Sequence, residues 1–250
     1  MEVRLVRIRL LSLALLSAII AASLTVESSP AAQRPQIPSP PADLNDQGTF
    51  VLALAGRDYG TEKFNIRAFS DKIEAEAEIQ LRDSQDGHSI ALQTFPKLVL
   101  DSQLHPRTYT WSLKGMKGFH LLVDFTGALA KSQLHLSDGK DDIREFQLPR
   151  DVIVLDNNVI HHYQLLVDRY YQTSGGKQAF NAYIPQEAVP GVLTVQDAGM
   201  EMVDLKGRRG MLRHLVVLTD NAEIDLWADA QRKLQRLLMA TVQLEALRQQ

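Results

Sequence analysis

Apolar and polar residues alternate with a period of two through much of the chain after residue 48. In the stretch 72–82 every second residue is apolar: Ile73, Ala75, Ala77, Ile79 and Leu81. A strand collects residues of this period on one face, whereas a helix would scatter them around its circumference. The stretch therefore predicts a strand with a solvated acidic face, although Glu and Ala favour helix by intrinsic propensity.

The same alternation recurs in four further stretches, which are 63–68, 108–113, 120–125 and 223–228. Turns that contain glycine separate these runs, for example at 57–60, 83–87, 114–118 and 206–210. Many short strands joined by such turns predict an antiparallel meander. Strands with one apolar and one polar face are typical of a sheet that is covered on one side only.

One segment has the helical period instead. Residues that favour the N-cap position begin it: Asp156, Asn157 and Asn158. Apolar residues then recur at helical spacing: Val159, Tyr163, Leu166 or Val167, and Tyr170. The pair Gly175-Gly176 is typical of a helix end. The pattern predicts a helix over about 158–173, and this helix would fill the concave face of a curved sheet.

The C-terminal segment 233–248 fits two structures. Its leucines could form one face of a helix, or residues 233–242 could form a final strand. We favour the strand, because an unpaired penultimate strand would leave an exposed edge. The predicted fold class is therefore mainly β: a curved antiparallel sheet, a half-barrel-like meander, wrapped around one central helix.

The N-terminus has the order of a secretory signal. Arg4, Arg7 and Arg9 precede an apolar run over 10–22, and small residues follow at 21–23 and 31–32. The run is shorter than the roughly 20 residues that a spanning helix needs. Residues 1–32 are predicted to be a cleaved signal peptide, with an uncleaved anchor as the alternative. The chain is thus expected to be exported, either periplasmic or held at the membrane.

A proline-rich stretch follows the signal. Five prolines lie between residues 29 and 41, and they remove backbone donors and favour extended dihedrals. We predict a disordered spacer over 33–47 and a β-rich half-barrel domain over 48–250.

Composition narrows the functional classes. The 250-residue chain is 45% hydrophobic and 23% charged, as in ordinary globular proteins, and it has no cysteine. Thiol nucleophiles, disulfides and zinc–thiolate sites are therefore excluded. The formal net charge is −3, and basic residues are not interleaved with aromatic ones. These features argue against a nucleic-acid partner.

The densest polar cluster lies at the start of the predicted helix. Its members are Asp156, Asn157, Asn158, His161, His162 and Tyr163. Imidazole and carboxylate are common metal ligands, so a metal-assisted hydrolase that adds a strand histidine (His120, His135 or His214) is one interpretation. However, adjacent histidines point about 100° apart on a helix, and the i, i+4 pairing is missing. We favour a structural role and predict no metal, no cofactor and no catalytic residue.

Other candidate motifs are weaker. There is no Gly-x-Ser-x-Gly elbow. Asp225, Trp227 and Asp229 would share the solvent face of a strand, with the two carboxylates ~13 Å apart. Gly207-Arg208-Arg209-Gly210 is a basic turn that could contact a lipid phosphate, although a solvated hairpin tip is the simpler interpretation.

Four short stretches resemble an uncharacterised family of exported bacterial proteins. They are Gly60-Thr61-Glu62-Lys63-Phe64, Leu155-Asp156-Asn157-Asn158-Val159 with His162-Tyr163, Ile184-Pro185-Gln186, and Leu226-Trp227-Ala228-Asp229. That family resembles the curved half-barrels of outer-membrane lipoprotein carriers. The resemblance implies a sheet that wraps around a helix and can hold acyl chains.

These features lead to one functional hypothesis and two alternatives. We expect a non-catalytic envelope protein whose concave apolar sheet face binds a hydrophobic ligand, such as a lipid, or a segment of an envelope protein partner. The alternatives are a metal-assisted hydrolase that uses Asp156, His161 and His162, and a purely structural or interaction module.

Overall fold

The computed structural model describes residues 43–85, 88–115, 119–136, 138–172 and 175–249. The predicted signal peptide over 1–32 and the predicted spacer up to residue 42 lie outside the described residues. Within those ranges, no helix has the length and apolar character needed to cross a membrane. The described residues begin at Asp43, and β1 begins at Asp46, slightly before the predicted boundary at 48.

The described residues form sixteen strands and one α-helix, α1 (His161–Tyr171). Before the helix lie β1 (Asp46–Leu54), β2 (Arg57–Ala68), β3 (Ile73–Gln85), β4 (His88–Thr94), β5 (Lys97–Leu100), β6 (Pro106–Ser112), β7 (His120–Thr126), β8 (Leu129–His135), β9 (Asp141–Gln147) and β10 (Ile153–Val154). After it lie β11 (Gln178–Ile184), β12 (Val189–Asp204), β13 (Arg209–Leu218), β14 (Glu223–Ala228), β15 (Leu234–Met239) and β16 (Leu244–Arg248).

All strands belong to one curved, unclosed sheet. Its order is β10-β11-β12-β13-β14-β15-β16-β1-β2-β3-β5-β6-β7-β8-β9, with β4 paired to β3. Neighbouring strands are antiparallel except β10 and β11. The first and last strands pair in the middle of the sheet, where Phe50 lies opposite Arg248. The mainly β, curved antiparallel fold around one helix is therefore confirmed.

The alternating pattern sets the two faces of the sheet. On β3, Ile73, Ala75 and Ile79 are buried, while the intervening glutamates point outward. Glu74 on that outer face pairs with Lys72 at 2.7 Å and with Lys97 at 3.2 Å. The strand prediction for 72–82 is thus confirmed, because burial of the period-two apolar face outweighs the helix propensity of Glu and Ala.

The helix α1 is enclosed by the sheet. Nine of its eleven residues are buried, including Leu165, Leu166 and Val167. The observed bounds lie inside the predicted 158–173, and a helix with so little solvent contact forms part of the core.

The ambiguous C-terminal segment is two strands. β15 and β16 are joined by a 3₁₀ turn over Ala240–Val242, which ends at Gln243 in the left-handed region with φ 55°. The helical alternative for this segment is wrong. Pairing β16 to both β15 and β1 satisfies its backbone groups on both sides.

Candidate functional site

The polar cluster over 156–163 lies at the junction of β10 and α1, and the fold divides it. Asp156, His161, His162 and Tyr163 are buried, and the two histidines are 0% exposed. Asn157 and Asn158 are exposed, and Asn158 takes a left-handed conformation with φ 58°. The predicted cluster therefore contains a buried polar core and a solvent-exposed turn.

The first turn of α1 is capped by a side chain from a strand that is distant in sequence. Glu62 of β2 accepts hydrogen bonds from the backbone amides of Ile160 and His161, both at 2.6 Å, and its Oε1 lies 2.9 Å from His161 Nδ1. The expectation that Asp156 and Asn158 cap this helix is wrong, because Ile160 occupies the N-cap position without a side-chain cap. A carboxylate at this position satisfies free amides and stabilises the positive end of the helix.

No catalytic or metal-binding motif in the sequence contains Glu62, although its position in the alternating pattern is informative. Residues 62, 64, 66 and 68 of β2 share one face, and Phe64 and Ile66 on that face are buried. An acid at an apolar-face position requires a partner inside the core. The partner itself is 99 positions away, which local sequence reasoning does not reach.

Asp156 connects three parts of the molecule. Its Oδ1 accepts hydrogen bonds from the backbone amides of Asn157 at 3.0 Å and Gln186 at 3.1 Å, and the hydroxyl of Tyr109 on β6 donates to its Oδ2. Burial raises the pKa of Asp156 to about 6, although these hydrogen bonds oppose that shift. Asp156 thus holds the chain that leads into α1 against β6 and the turn after β11.

The hydrogen bond to His162 defines its tautomer. The backbone amide of Asp156 donates to His162 Nδ1 at 3.2 Å, so the proton of the neutral ring is on Nε2. Burial, followed by the nearby His161, holds the pKa of His162 well below its usual range. His162 is therefore a neutral, fully enclosed imidazole that fills space and accepts one hydrogen bond. A substrate in solvent does not reach a side chain that is 0% exposed.

The histidines are not arranged as metal ligands. The rings of His161 and His162 are 4.8 Å apart between centroids and lie at 69° to each other. In the part of the chain that the structure describes, no group of three His, Asp or Glu side chains is placed to hold a metal ion. His214 lies instead between Asp225 at 2.7 Å and Glu201 at 3.2 Å, and His120 stacks on His135. The structure does not bring these strand histidines to α1.

The concave face is apolar and is filled by α1. Its fully buried side chains include Phe50, Leu52, Ile66 and Leu98, and Leu166 of α1 is also fully buried. By contrast, a cavity of about 1060 Å³ is open and is lined mostly by polar residues of the outer face such as Lys63, Glu76 and Lys97. A ligand on the concave face therefore has to compete with α1 for the same surface.

The sheet has a seam where its two edges meet. No backbone ladder joins β9 to β10 in the described residues. Instead, aromatic side chains pack across the gap: Phe146 of β9 and Phe125 of β7 lie 5.3 Å and 6.3 Å from Tyr183 of β11, between ring centroids. We call Phe125, Phe146 and Tyr183 the aromatic seam.

The strand that carries Asp225 and Trp227 differs from its prediction. Trp227 is only 5% exposed and packs with Val203 and Leu212 in a small cluster on the outer face. Its ring stacks on His214 at 4.8 Å, and its Nε1 donates to Glu201 at 2.8 Å. The prediction that Trp227 lies on a solvated face is wrong, because part of the hairpin β12–β13 covers it.

Comparisons with known proteins add little to this geometry. No protein-family model matches the chain, and no curated protein matches it significantly in sequence. Among solved structures, a protein of the DUF1089 family from Pseudomonas aeruginosa is similar at a TM-score of 0.41 and 14% identity, over 83% of this chain and 95% of that one. A similarity of this level says nothing about activity, so export and the resemblance to lipoprotein carriers stay predictions.

Proposed function

We propose that this chain is an exported, non-catalytic binding protein whose concave apolar face accepts a ligand with an acyl chain. The observation that carries the proposal is the aromatic seam. The sheet presents a mainly apolar inner wall, and within the described residues no backbone ladder joins its two edges, which are linked only by the loop 148–152 and by side-chain contacts. Such a wall, reached through a movable edge, is an ordinary kind of site for an apolar ligand.

Opening at the seam breaks few strong contacts. Separation of β7 and β9 from β11 disrupts the ring contacts of Phe125 and Phe146 with Tyr183, and no ladder hydrogen bonds join either strand to β11. Regions with few backbone hydrogen bonds between them open at lower free energy than regions inside a ladder. The seam is therefore the proposed route to the concave face.

Helix α1 acts as the internal competitor of the ligand. It occupies the concave face, and Glu62 holds its first turn through two backbone hydrogen bonds. If the ligand binds only when α1 has moved, its apparent affinity is reduced by the fraction of molecules in that state. Weakening of the Glu62 contact should then increase apparent affinity, by about tenfold for each 1.4 kcal/mol.

The proposed location rests on the N-terminal sequence. Arg4, Arg7 and Arg9, followed by the apolar run over 10–22, support export. A periplasmic protein or one held at the membrane by an uncleaved anchor would both meet lipids and lipid-modified proteins.

The two alternatives have less support. A metal-assisted hydrolase would require substrate to reach Asp156 and two histidines that are 0% exposed, and no observation favours such access. A purely structural module would need no movable edge. If no ligand is found, this alternative replaces the proposal.

Two measurements test the proposal. Native mass spectrometry of the protein purified from membranes should show an adduct of lipid size, and a fluorescent fatty-acyl probe should bind. Phe146→Ala should accelerate probe uptake about fivefold, because an aromatic contact contributes about 1 kcal/mol. Ile143→Ala is the matched control, since Ile143 lies on the same strand but is 51% exposed. The ligand proposal is abandoned if no adduct appears and neither the native chain nor the variant binds the probe.

A further inference from the structure

The hairpin β12–β13 extends well beyond the sheet. β11 pairs with β12 only up to Val195, and β14 pairs with β13 only from Arg213 onward. Residues 199–212 therefore form a two-stranded arm with only each other as ladder partners. A bulge between Asp197 and Gly199 lies at the base of this arm. Isolated two-stranded hairpins are marginal in water, so the arm depends on contacts through its faces.

Only one face of the arm is covered. Val203 and Leu212 are 3% and 5% exposed and pack with Trp227 on the outer face of the sheet. The opposite face carries Met200, Met202 and Met211, which are 50–58% exposed. Met202 and Met211 are direct cross-strand partners, and Met200 lies two residues along the same face. The three methionines thus form a contiguous apolar surface, which we call the methionine face.

The tip of the arm is basic. Lys206, Arg208 and Arg209 are exposed within four consecutive residues. The acidic residue Asp204 also lies at the tip. Its carboxylate is 3.9 Å from Arg209, and it accepts a hydrogen bond from the backbone amide of Gly207. Beside the tip lies a recess of about 360 Å³, lined by Arg208, Arg209 and the apolar side chains of Leu205 and Leu212 among others.

We infer that this arm docks on the surface of an anionic phospholipid bilayer. The methionine face enters the boundary between headgroups and acyl chains, and Lys206, Arg208 and Arg209 contact lipid phosphates. Flexible, polarizable methionine side chains adapt to an irregular apolar surface, and exposed apolar surface rimmed by charge is typical of a membrane or partner contact. The inference concerns a different surface from the aromatic seam and does not depend on ligand binding there.

Charge favours a bilayer over a protein partner as the occupant. Guanidinium groups match phosphate oxygens through paired hydrogen bonds, and each cation near an anionic membrane surface adds about a factor of five in affinity. Apolar side chains adjacent to cations are the arrangement of interfacial membrane-binding elements.

A fluorescent label on the arm tests the inference directly. Because the chain has no cysteine, Met202→Cys can be labelled with an environment-sensitive dye in the full chain. Vesicles of phosphatidylglycerol and phosphatidylethanolamine should shift its emission to the blue, and vesicles of phosphatidylcholine should do so much less. Val192→Cys is the matched control, since Val192 is on the same strand, is 61% exposed and lies outside the arm.

Charge and apolar variants separate the two contributions. The double variant Arg208→Ser/Arg209→Ser should weaken binding to anionic vesicles about thirtyfold at low salt. Met200→Gln/Met202→Gln/Met211→Gln should reduce vesicle binding without lowering the melting temperature, because these side chains are exposed. An equal dye response at positions 192 and 202, equal response to both vesicle types, or no response overturns the inference. If the triple methionine variant binds vesicles normally but no longer binds a protein partner, the inference is overturned as well, and the methionine face is a protein-binding surface.

Discussion

Glu62 and His161 lie 99 positions apart in the chain and are joined by two contacts inside the core. The Glu62 carboxylate accepts a hydrogen bond from the backbone amide of His161 at 2.6 Å, and Oε1 of Glu62 lies 2.9 Å from Nδ1 of His161. Both side chains are 0% exposed. The positive end of the central helix is therefore anchored to the middle of the sheet by one buried carboxylate.

Removal of this carboxylate should strongly destabilise the protein. Glu62→Ala leaves the amides of Ile160 and His161 buried without partners, at a cost of about 3 kcal/mol or more. Glu62→Gln retains an acceptor and should cost less. Urea denaturation measures both changes, with the exposed Glu145→Gln as the control. Equal stability of Glu62→Ala and the native chain would show that the contact does not hold the helix.

The buried Asp168 should make stability depend on pH. Burial raises its pKa to about 7, from an unfolded value near 4, so the folded protein holds the proton more tightly between these values. The contribution of this residue to the free energy of unfolding therefore falls as pH rises from about 4 to about 7. Asp168→Asn has no carboxyl group to titrate, so it does not lose this contribution. The free energy of unfolding of Asp168→Asn, relative to that of the native chain, should therefore increase by a few kcal/mol between pH 4.5 and pH 8.

Asp142→Asn provides a contrast of opposite sign. The Arg144 guanidinium beside Asp142 lowers the pKa of that exposed carboxyl. Its small contribution is present above about pH 4 and is lost as pH falls. Chemical denaturation across this pH range tests both variants. If the difference in free energy of unfolding between Asp168→Asn and the native chain is the same at every pH, the assignment of a raised pKa to Asp168 is contradicted.

The pair of Asp46 and Arg248 should fasten the two terminal strands. Arg248 Nη1 and Nη2 lie 3.0 Å and 2.5 Å from the two oxygens of Asp46, and the guanidinium lies 5.2 Å above the Phe64 ring. Lys cannot reproduce this paired geometry, so Arg248→Lys should lower the free energy of unfolding by about 1–2 kcal/mol. Arg248→Ala should lower it further, because the contact with Phe64 is also lost.

Arg144→Lys is the control for this prediction. It replaces an arginine in an exposed pair with Asp142, where surface ion pairs contribute about 0–1 kcal/mol. Thermal unfolding followed by circular dichroism compares the variants. If Arg248→Lys is no less stable than Arg144→Lys, the terminal strands are held by the ladder of β1 and β16 alone.

Much of the fold could be predicted from local pattern. The alternation of Ile73, Ala75, Ala77 and Ile79 identified a strand against the intrinsic preferences of its residues, and the helix appeared within the predicted range. These features were predictable because burial of one face imposes a period of two or 3.6 that a single sequence displays. The ambiguous segment 233–248 required an argument from sheet edges, because its leucines fit both periods.

The candidate site was predicted only in part. Asp156, His161 and His162 do form a buried polar cluster, but the residue that completes it, Glu62, lies on a strand far away in sequence. The assignment of Asp156 and Asn158 as helix caps failed for the same reason. Capping requires only an acceptor near free amides, and tertiary structure brought one from β2.

By itself, the sequence determined the class of fold, the central helix, the absence of thiol chemistry and the two faces of clearly alternating strands such as β3. Only the tertiary structure decided that β1 and β16 pair, that Trp227 is covered, and that Met200, Met202 and Met211 lie on an uncovered arm. The physical reason is the range of the interactions. Periodicity reports which side of an element is buried, whereas strand order and contacts between distant residues depend on how the whole chain shares one core.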